Sequence, residues 1–157
     1  MSVGMLEHVG IANYRTLGAL IDRCLPAHGR GLIHTIGRTR PMRLNAWVEK
    51  HIFPGGYPPT LGQMMAIFEP FRLSVLDVEN LRLHYERTAA EWLRRFERHA
   101  ADVQRMFDER FVRAWRLYLA GTTVAFRVGL LQLFQVVFAR ERYNGIPWTR
   151  AHVYADA

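Results

Sequence analysis

The chain has 157 residues, about one domain's worth, of which 50% are hydrophobic and 22% charged. That composition excludes a disordered chain and allows a core that buries about 68–70% of the unfolded surface. The formal net charge is +7, and every basic residue except Lys50 is arginine. Such an excess suits anionic lipid headgroups or nucleic acid, or forms only a solvated surface. No helix-turn-helix, zinc-finger or ribonucleoprotein-type aromatic signature supports nucleic acid.

One cysteine, Cys24, excludes an internal disulfide framework and a multi-cysteine metal site. His8, His28, His51, His99 and His152 show no helical pairing with a third ligand, so no metal is expected. The first ten residues lack the basic start and apolar run of a signal peptide. The longest uncharged runs, 117–126 and 128–139, fall short of the roughly 20 apolar residues that span a bilayer. A cytoplasmic location is expected.

In chain order, residues 2–5 read as a strand end. Tyr14, Leu17, Leu20, Ile21 and Cys24 recur at helical spacing, and Pro26 and Gly29 stop that helix. Residues 31–36 form a short apolar run, the pattern of a parallel strand buried on both faces. Residues 44–52 suggest a short helix and 53–60 a turn-rich loop. Thr60 can cap a further helix to about Phe68. Residues 71–80 alternate as a strand. Tyr85, Ala89, Trp92, Phe96, Ala100, Val103 and Phe107 predict one long amphipathic helix. Asp108 can cap the next, with Phe111, Trp115, Tyr118 and Leu119 inward. Residues 131–139 are rich in Val and Phe and read as the last strand, with no clear pattern after Arg140. The order β-α-β-insertion-β-α-α-β predicts an α/β fold, the C-terminal half of a Rossmann-like sheet ending in an antiparallel pair.

Seven strings in this order carry a family resemblance. They are residues 3–10 (VGMLEHVG) with Asn13-Tyr14, residues 32–37 (LIHTIG), and residues 47–57 (WVEKHIFPGGY). Next come His84-Tyr85 with Thr88 and Trp92, then residues 115–119 (WRLYL), 125–127 (AFR) and 132–138 (QLFQVVF). Together they resemble the cyclopropane-fatty-acyl-phospholipid synthases and mycolic acid cyclopropane synthases, over roughly residues 2–140. The resemblance implies a class I, S-adenosylmethionine-dependent methyltransferase. Residues 1–140 would be the C-terminal part of its catalytic domain and residues 141–157 a tail. Two departures stand out. The family's Gly-rich cofactor turn is absent from these residues, and Ala89 stands where the family usually has leucine.

The family reaction adds a methylene or methyl group to the double bond of an unsaturated phospholipid acyl chain. A carbocation forms on the lipid, and a base then removes a proton so that the ring can close. The resemblance implies that this base is a bound bicarbonate. Its cage would be Glu7 as acceptor, with His34, Tyr85 and the Ile36 backbone N–H as donors. The family's cage cysteine has no counterpart here, since Cys24 is not equivalent. Val3 and Gly4 match the position that lies against S-adenosylmethionine. Independently of the family, Glu7 and His34 sit near the C-terminal ends of two successive strands, where α/β sheets place ligands. A histidine in an apolar strand also needs a polar partner.

The expected partners are therefore unsaturated phospholipid acyl chains and an anionic membrane surface, approached peripherally from the cytoplasm, and not nucleic acid. A second chain supplying an N-terminal half is a further expectation. The alternative is an inactive remnant or partner-dependent subunit.

Overall fold

The computed structural model describes residues 1–153, so residues 154–157 of the expected tail lie outside it. Strand β1 (Ser2–Val3) leads through the one-turn helix α1 (Leu6–Val9) to α2 (Tyr14–Cys24), and then to β2 (Arg30–Gly37). Helices α3 (Ala46–His51) and α4 (Leu61–Phe68) follow, then β3 (Leu73–Asn80). Helices α5 (Arg82–Arg98), α6 (Ala100–Met106) and α7 (Glu109–Arg127) precede β4 (Gln132–Arg140). Among the described residues, no helix is long and apolar enough to cross a membrane.

The four strands lie in the order β1-β2-β4-β3. β1 and β2 are parallel, and β4 runs antiparallel to both neighbours. The last strand inserts between β2 and β3 and forms the expected antiparallel pair with β3 at the sheet edge. β2 is correspondingly parallel to one neighbour only. Its residues alternate between fully buried (Gly31, Ile33, Thr35, Gly37) and half-buried (Leu32, His34, Ile36), unlike a strand buried equally on both faces.

The fully buried positions meet the core. Ile33 packs with Phe134, Val136 and Phe138 of β4 under Leu6, Tyr14, Met64, Ile67 and Phe68. Helices α2 and α4 cover this face in direct contact. A Cβ on Gly18 would stand 2.4 Å from the Ile67 carbonyl oxygen. α4 starts where the sequence predicts, because Thr60 and Gln63 form a reciprocal capping box.

The long helix predicted over residues 85–107 divides at His99. The apolar stripe continues, but Asp102 pairs with His99 at 3.5 Å, and the His99 carbonyl accepts from Val103 N–H to begin α6. An acid in a first turn stabilises a new start. The inward stripe of α7 also differs from expectation. Val112, Leu119, Thr123 and Phe126 are buried, whereas Phe111, Trp115 and Tyr118 are half-buried. Phe107 and Trp92, expected on the inner stripe of the preceding helix, are 59% and 43% exposed. Phe107 instead stacks on Phe111 with centroids 4.3 Å apart.

α5 and α7 pack against each other. Arg82, at the start of α5, donates from Nη1 to the Phe126 and Arg127 carbonyls at 2.7 and 2.8 Å. The Phe126 carbonyl also accepts from the Gly129 N–H, so Arg82 adds a second bond there and caps the Arg127 carbonyl at the end of α7. Arg127 reaches back to Glu86 at 2.6 Å. The described tail is not patternless in contact. Arg30 donates to the Gly145 carbonyl at 2.5 Å, and Arg150 pairs with Asp77 at 2.8 Å.

Gly18→Ala should lower stability by about 1–3 kcal/mol, because a methyl group there must push α2 off α4. Gly121→Ala, on α7 where a Cβ meets nothing within 4 Å, should raise it by about 1 kcal/mol. Urea unfolding of the two variants checks both signs.

Candidate active site

β1 and β2 end side by side, and the chain leaves them through Gly4 and Arg38. Gly4 has φ +63°, a left-handed conformation that favours glycine. Its N–H donates to the His34 carbonyl at 2.9 Å. That turn feeds directly into α1, whose first turn carries Glu7. The Glu7 side chain is buried, and its Oε2 accepts from the Thr35 hydroxyl at 2.7 Å. The Glu7 carbonyl accepts from the Tyr57 N–H at 2.7 Å, which draws the 53–60 loop over the strand ends.

A cavity of about 500 Å³ opens there. Gly4, Glu7 and Ile36 form its floor at the strand ends. Trp47, Val48 and Phe53 line it together with Tyr85, Tyr118, Gly121 and Ala125, and Phe53 meets Tyr118 edge-on at 5.7 Å. Most of this lining is apolar. Tyr85 stacks edge-on against Phe126 at 5.0 Å and against Trp92 at 5.7 Å.

Phenols gather around the buried carboxylate. Burial, and secondarily the charge of Glu7, pushes the Tyr85 phenol above its ordinary value. The same two causes, in the same order, raise Tyr14, with Tyr57 adding to the effect. The Tyr14 hydroxyl is buried without a hydrogen-bond partner among the described residues. Burial first, then Tyr85, raises Tyr118. All three hydroxyls therefore keep their protons through neutral and mildly alkaline pH.

Of the residues singled out from sequence, Gly4, Glu7, Ile36 and Tyr85 line this one cavity. The His34 carbonyl faces β1, so strand alternation turns the Ile36 N–H to the same side, past the end of two-residue β1. His34 stands opposite Gln135 on β4, half-buried, with its Nδ1 3.2 Å from Gln135 Nε2. With that amide donating, Nδ1 accepts and the Nε2–H is free to donate elsewhere. His34 is not part of the cavity wall, and neither is Val3, which is 59% exposed and pairs with His34 in parallel register. Cys24 is exposed on α2. No group of three potential metal ligands occurs among the described residues.

The mycolic acid cyclopropane synthetase family matches residues 1–136. This chain belongs to that family. The cyclopropane-fatty-acyl-phospholipid synthase of Escherichia coli strain K12 is 38% identical over 147 residues, which cover 93% of this chain and 38% of that enzyme. Among solved structures, the cyclopropane synthase MmaA2 from Mycobacterium tuberculosis superimposes with a TM-score of 0.83 at 26% identity. The match covers 88% of this chain and 54% of that one. The mycolic acid cyclopropane synthase CmaA1, complexed with SAH and CTAB, gives 0.81 at 26% identity, over 87% of this chain and 53% of that one. The chain thus spans about two fifths of the Escherichia coli relative and about half of the two mycobacterial ones. The four-stranded α/β sheet is the corresponding part of a class I methyltransferase fold.

Within this cyclopropane synthetase fold, sequence reasoning missed four residues. Thr35 anchors Glu7 and is, like His34, a polar group in an apolar strand that needs a partner. Tyr14 was read as one more residue of a helical stripe. Tyr57 closes the family string of residues 47–57, in a loop whose composition signals turns. Arg38 follows directly on β2 and carried no signal beyond its charge.

Thr35→Val should cost about 1–3 kcal/mol, because a buried carboxylate loses its hydroxyl donor while the shape is kept. Thr35→Ser should restore most of it, as urea unfolding would read. The phenols give a pH signature. The folded chain holds their protons after the unfolded chain has released them, so stability is full below pH about 10 and falls as pH rises above it. Tyr85→Phe should make that alkaline decline shallower, measured as unfolding free energy at about pH 8 and about pH 11.

Proposed function

We propose that this chain carries the base and acyl-pocket end of a lipid methyltransferase. The reaction would be S-adenosylmethionine-dependent addition of a methylene or methyl group to the double bond of an unsaturated phospholipid acyl chain. The observation that carries this reading is Glu7, a carboxylate fixed by Thr35 on the floor of a largely apolar cavity faced by Tyr85. Membership of the family and the lipid-acting names of the relatives support it.

The residues fit the two groups that the reaction requires. At Gly4 the backbone turns with positive φ at the cavity edge, and a Cβ there would meet nothing within 4 Å. With Val3 it would offer backbone to the sulfonium end of S-adenosylmethionine. Its adenosine contacts would come from residues other than these. For bicarbonate, Glu7 would accept the hydroxyl, while the Tyr85 phenol and the Ile36 N–H would donate; the His34 ring, outside the cavity wall and against Gln135, would reach the anion only by turning toward it. When bound, S-adenosylmethionine supplies the methyl group and bicarbonate the basic oxygen.

The chain's own residues would do the rest. Thr35 keeps Glu7 in one orientation, which lowers the reorganisation needed as charge develops. The Tyr85 phenol, protonated at neutral pH and raised further by burial, is a donor there. Trp47, Val48, Phe53 and Ala125 exclude water that would trap a cation on the acyl chain. Tyr85 and Tyr118 present ring faces that favour a passing positive charge. Access from an anionic membrane surface at the cytoplasmic side, and a second chain or segment along the β1 edge, belong to the same proposal.

Transfer of labelled methyl from S-adenosylmethionine to vesicles of unsaturated phosphatidylglycerol tests it, with product identified by mass spectrometry of the acyl chains. Glu7→Gln and Tyr85→Phe should each lower product formation by about 10²–10⁴-fold. Saturated vesicles should give none. Undiminished transfer by Glu7→Gln would overturn the assignment.

A further inference from the structure

Arg38 occupies a position that its surroundings do not account for. Its main chain is pinned, because its N–H donates to the Pro59 carbonyl at 2.9 Å and it bridges to Thr60. Its side chain cannot therefore swing out by moving the backbone. The residue is 5% exposed, yet Nε and Nη1 are buried with no hydrogen-bond partner among the described residues. No ion pair involves it there either. An arginine stays charged even when buried, and a buried charge without a partner is costly. Burial and the like charge of Arg40 both push its guanidinium below the ordinary value, while Tyr57 acts the other way. A fold that tolerates such a group leaves a place for an anion.

The cavities say where the anion would sit. Arg38 lines the acyl-sized cavity of about 500 Å³ alongside Glu7 and Tyr57. It also lines a neighbouring cavity of about 450 Å³ with Arg40, Met42 and Val128. Arg38 and Leu130 are common to both, so the two spaces adjoin at these residues. The first is mainly apolar. The second has two arginines and no acidic residue in its lining. An apolar compartment that opens beside a cationic one matches an amphiphile with an anionic head.

We propose that Arg38, assisted by Arg40, seats the phosphate of a phospholipid whose acyl chain lies in the larger cavity. The acyl part rests on the function proposed above, whereas the phosphate seat stands on Arg38 alone. A guanidinium can meet two phosphate oxygens at once, which a lysine cannot do. Arg38 would then fix how far the acyl chain enters, and so which carbon pair comes to Glu7.

The test uses the whole chain with three probes: short-chain phosphatidylglycerol below its micellar concentration, a neutral short-chain monoacylglycerol, and inorganic phosphate. Binding is read by calorimetry, and melting temperature is read alongside. Arg38→Gln should weaken phosphatidylglycerol by about tenfold or more and leave the monoacylglycerol unchanged. Arg87→Gln, an exposed control of equal charge change, should shift neither by more than about twofold. Equal weakening by Arg38→Gln and Arg87→Gln would overturn the seat. So would Arg38→Gln melting well below the unsubstituted chain without ligand, since the guanidinium would then be serving the fold. If only inorganic phosphate depends on Arg38 while both lipids bind without it, the seat is for the free ion and the headgroup assignment falls. If neither lipid binds but phosphate still needs Arg38, the acyl reading fails and the anion seat remains.

Discussion

The buried bond between Glu7 and Thr35 organises the site. A carboxylate out of water needs a donor, and Thr35 supplies it at 2.7 Å from the core-facing side of β2. That single bond ties α1, which follows β1, to the end of β2. The Glu7 main chain adds the third partner by accepting from Tyr57. Two strand ends and the 53–60 loop are therefore gathered around one acidic group. Burial first, and then the charge of Glu7, raises the phenols of Tyr14 and Tyr85.

The cavity lining from α5 and α7 depends on a different device. Helices α5 and α7 come from an excursion between β3 and β4, and they must return β4 to the middle of the sheet. Arg82 links the start of α5 to the carbonyl end of α7, and the Leu81 N–H donates to the Leu133 carbonyl of β4 at 2.8 Å. Tyr85 lies one helical turn after Leu81, to whose carbonyl its N–H donates. Its ring is thus positioned by contacts to both the sheet and α7. The insertion of β4 is what lets a residue after β3 face a residue after β1.

Local rules made most elements legible. Thr60 and Asp108 announced their helices, and the Val- and Phe-rich run of 131–139 announced β4. Sheet order is a non-local property, so nothing in residues 131–139 says that the strand enters between β2 and β3. The break at His99 was hidden because apolar spacing continues through it, and only the short-range pairing with Asp102 marks the new start. Glu7, Ile36, Tyr85 and Gly4 were reachable through the family resemblance together with strand-end position. Thr35 was reachable by polarity in an apolar strand. Tyr14 was not, because a buried tyrosine on a helical stripe looks the same whether or not its hydroxyl has a partner.

Arginine content needs the same distinction between amount and place. A net charge of +7 says only that the chain is basic. In the structure, much of that charge is spent along α5–α7, where Arg95 pairs with Glu91, Arg113 with Glu109 and Arg116 with Glu97. These exposed pairs contribute little to stability individually, and salt screens them. Arg38 is the opposite case. It is one charge among twenty-one basic residues, but it is 5% exposed, on a pinned backbone, between an apolar space and a cationic one. Low local dielectric makes its interaction with an arriving anion stronger than that of any surface arginine. Recognition of an anionic amphiphile therefore does not require the basic surface as a whole. It requires one guanidinium whose Nε and Nη1 the fold buries without a hydrogen-bond partner among the described residues.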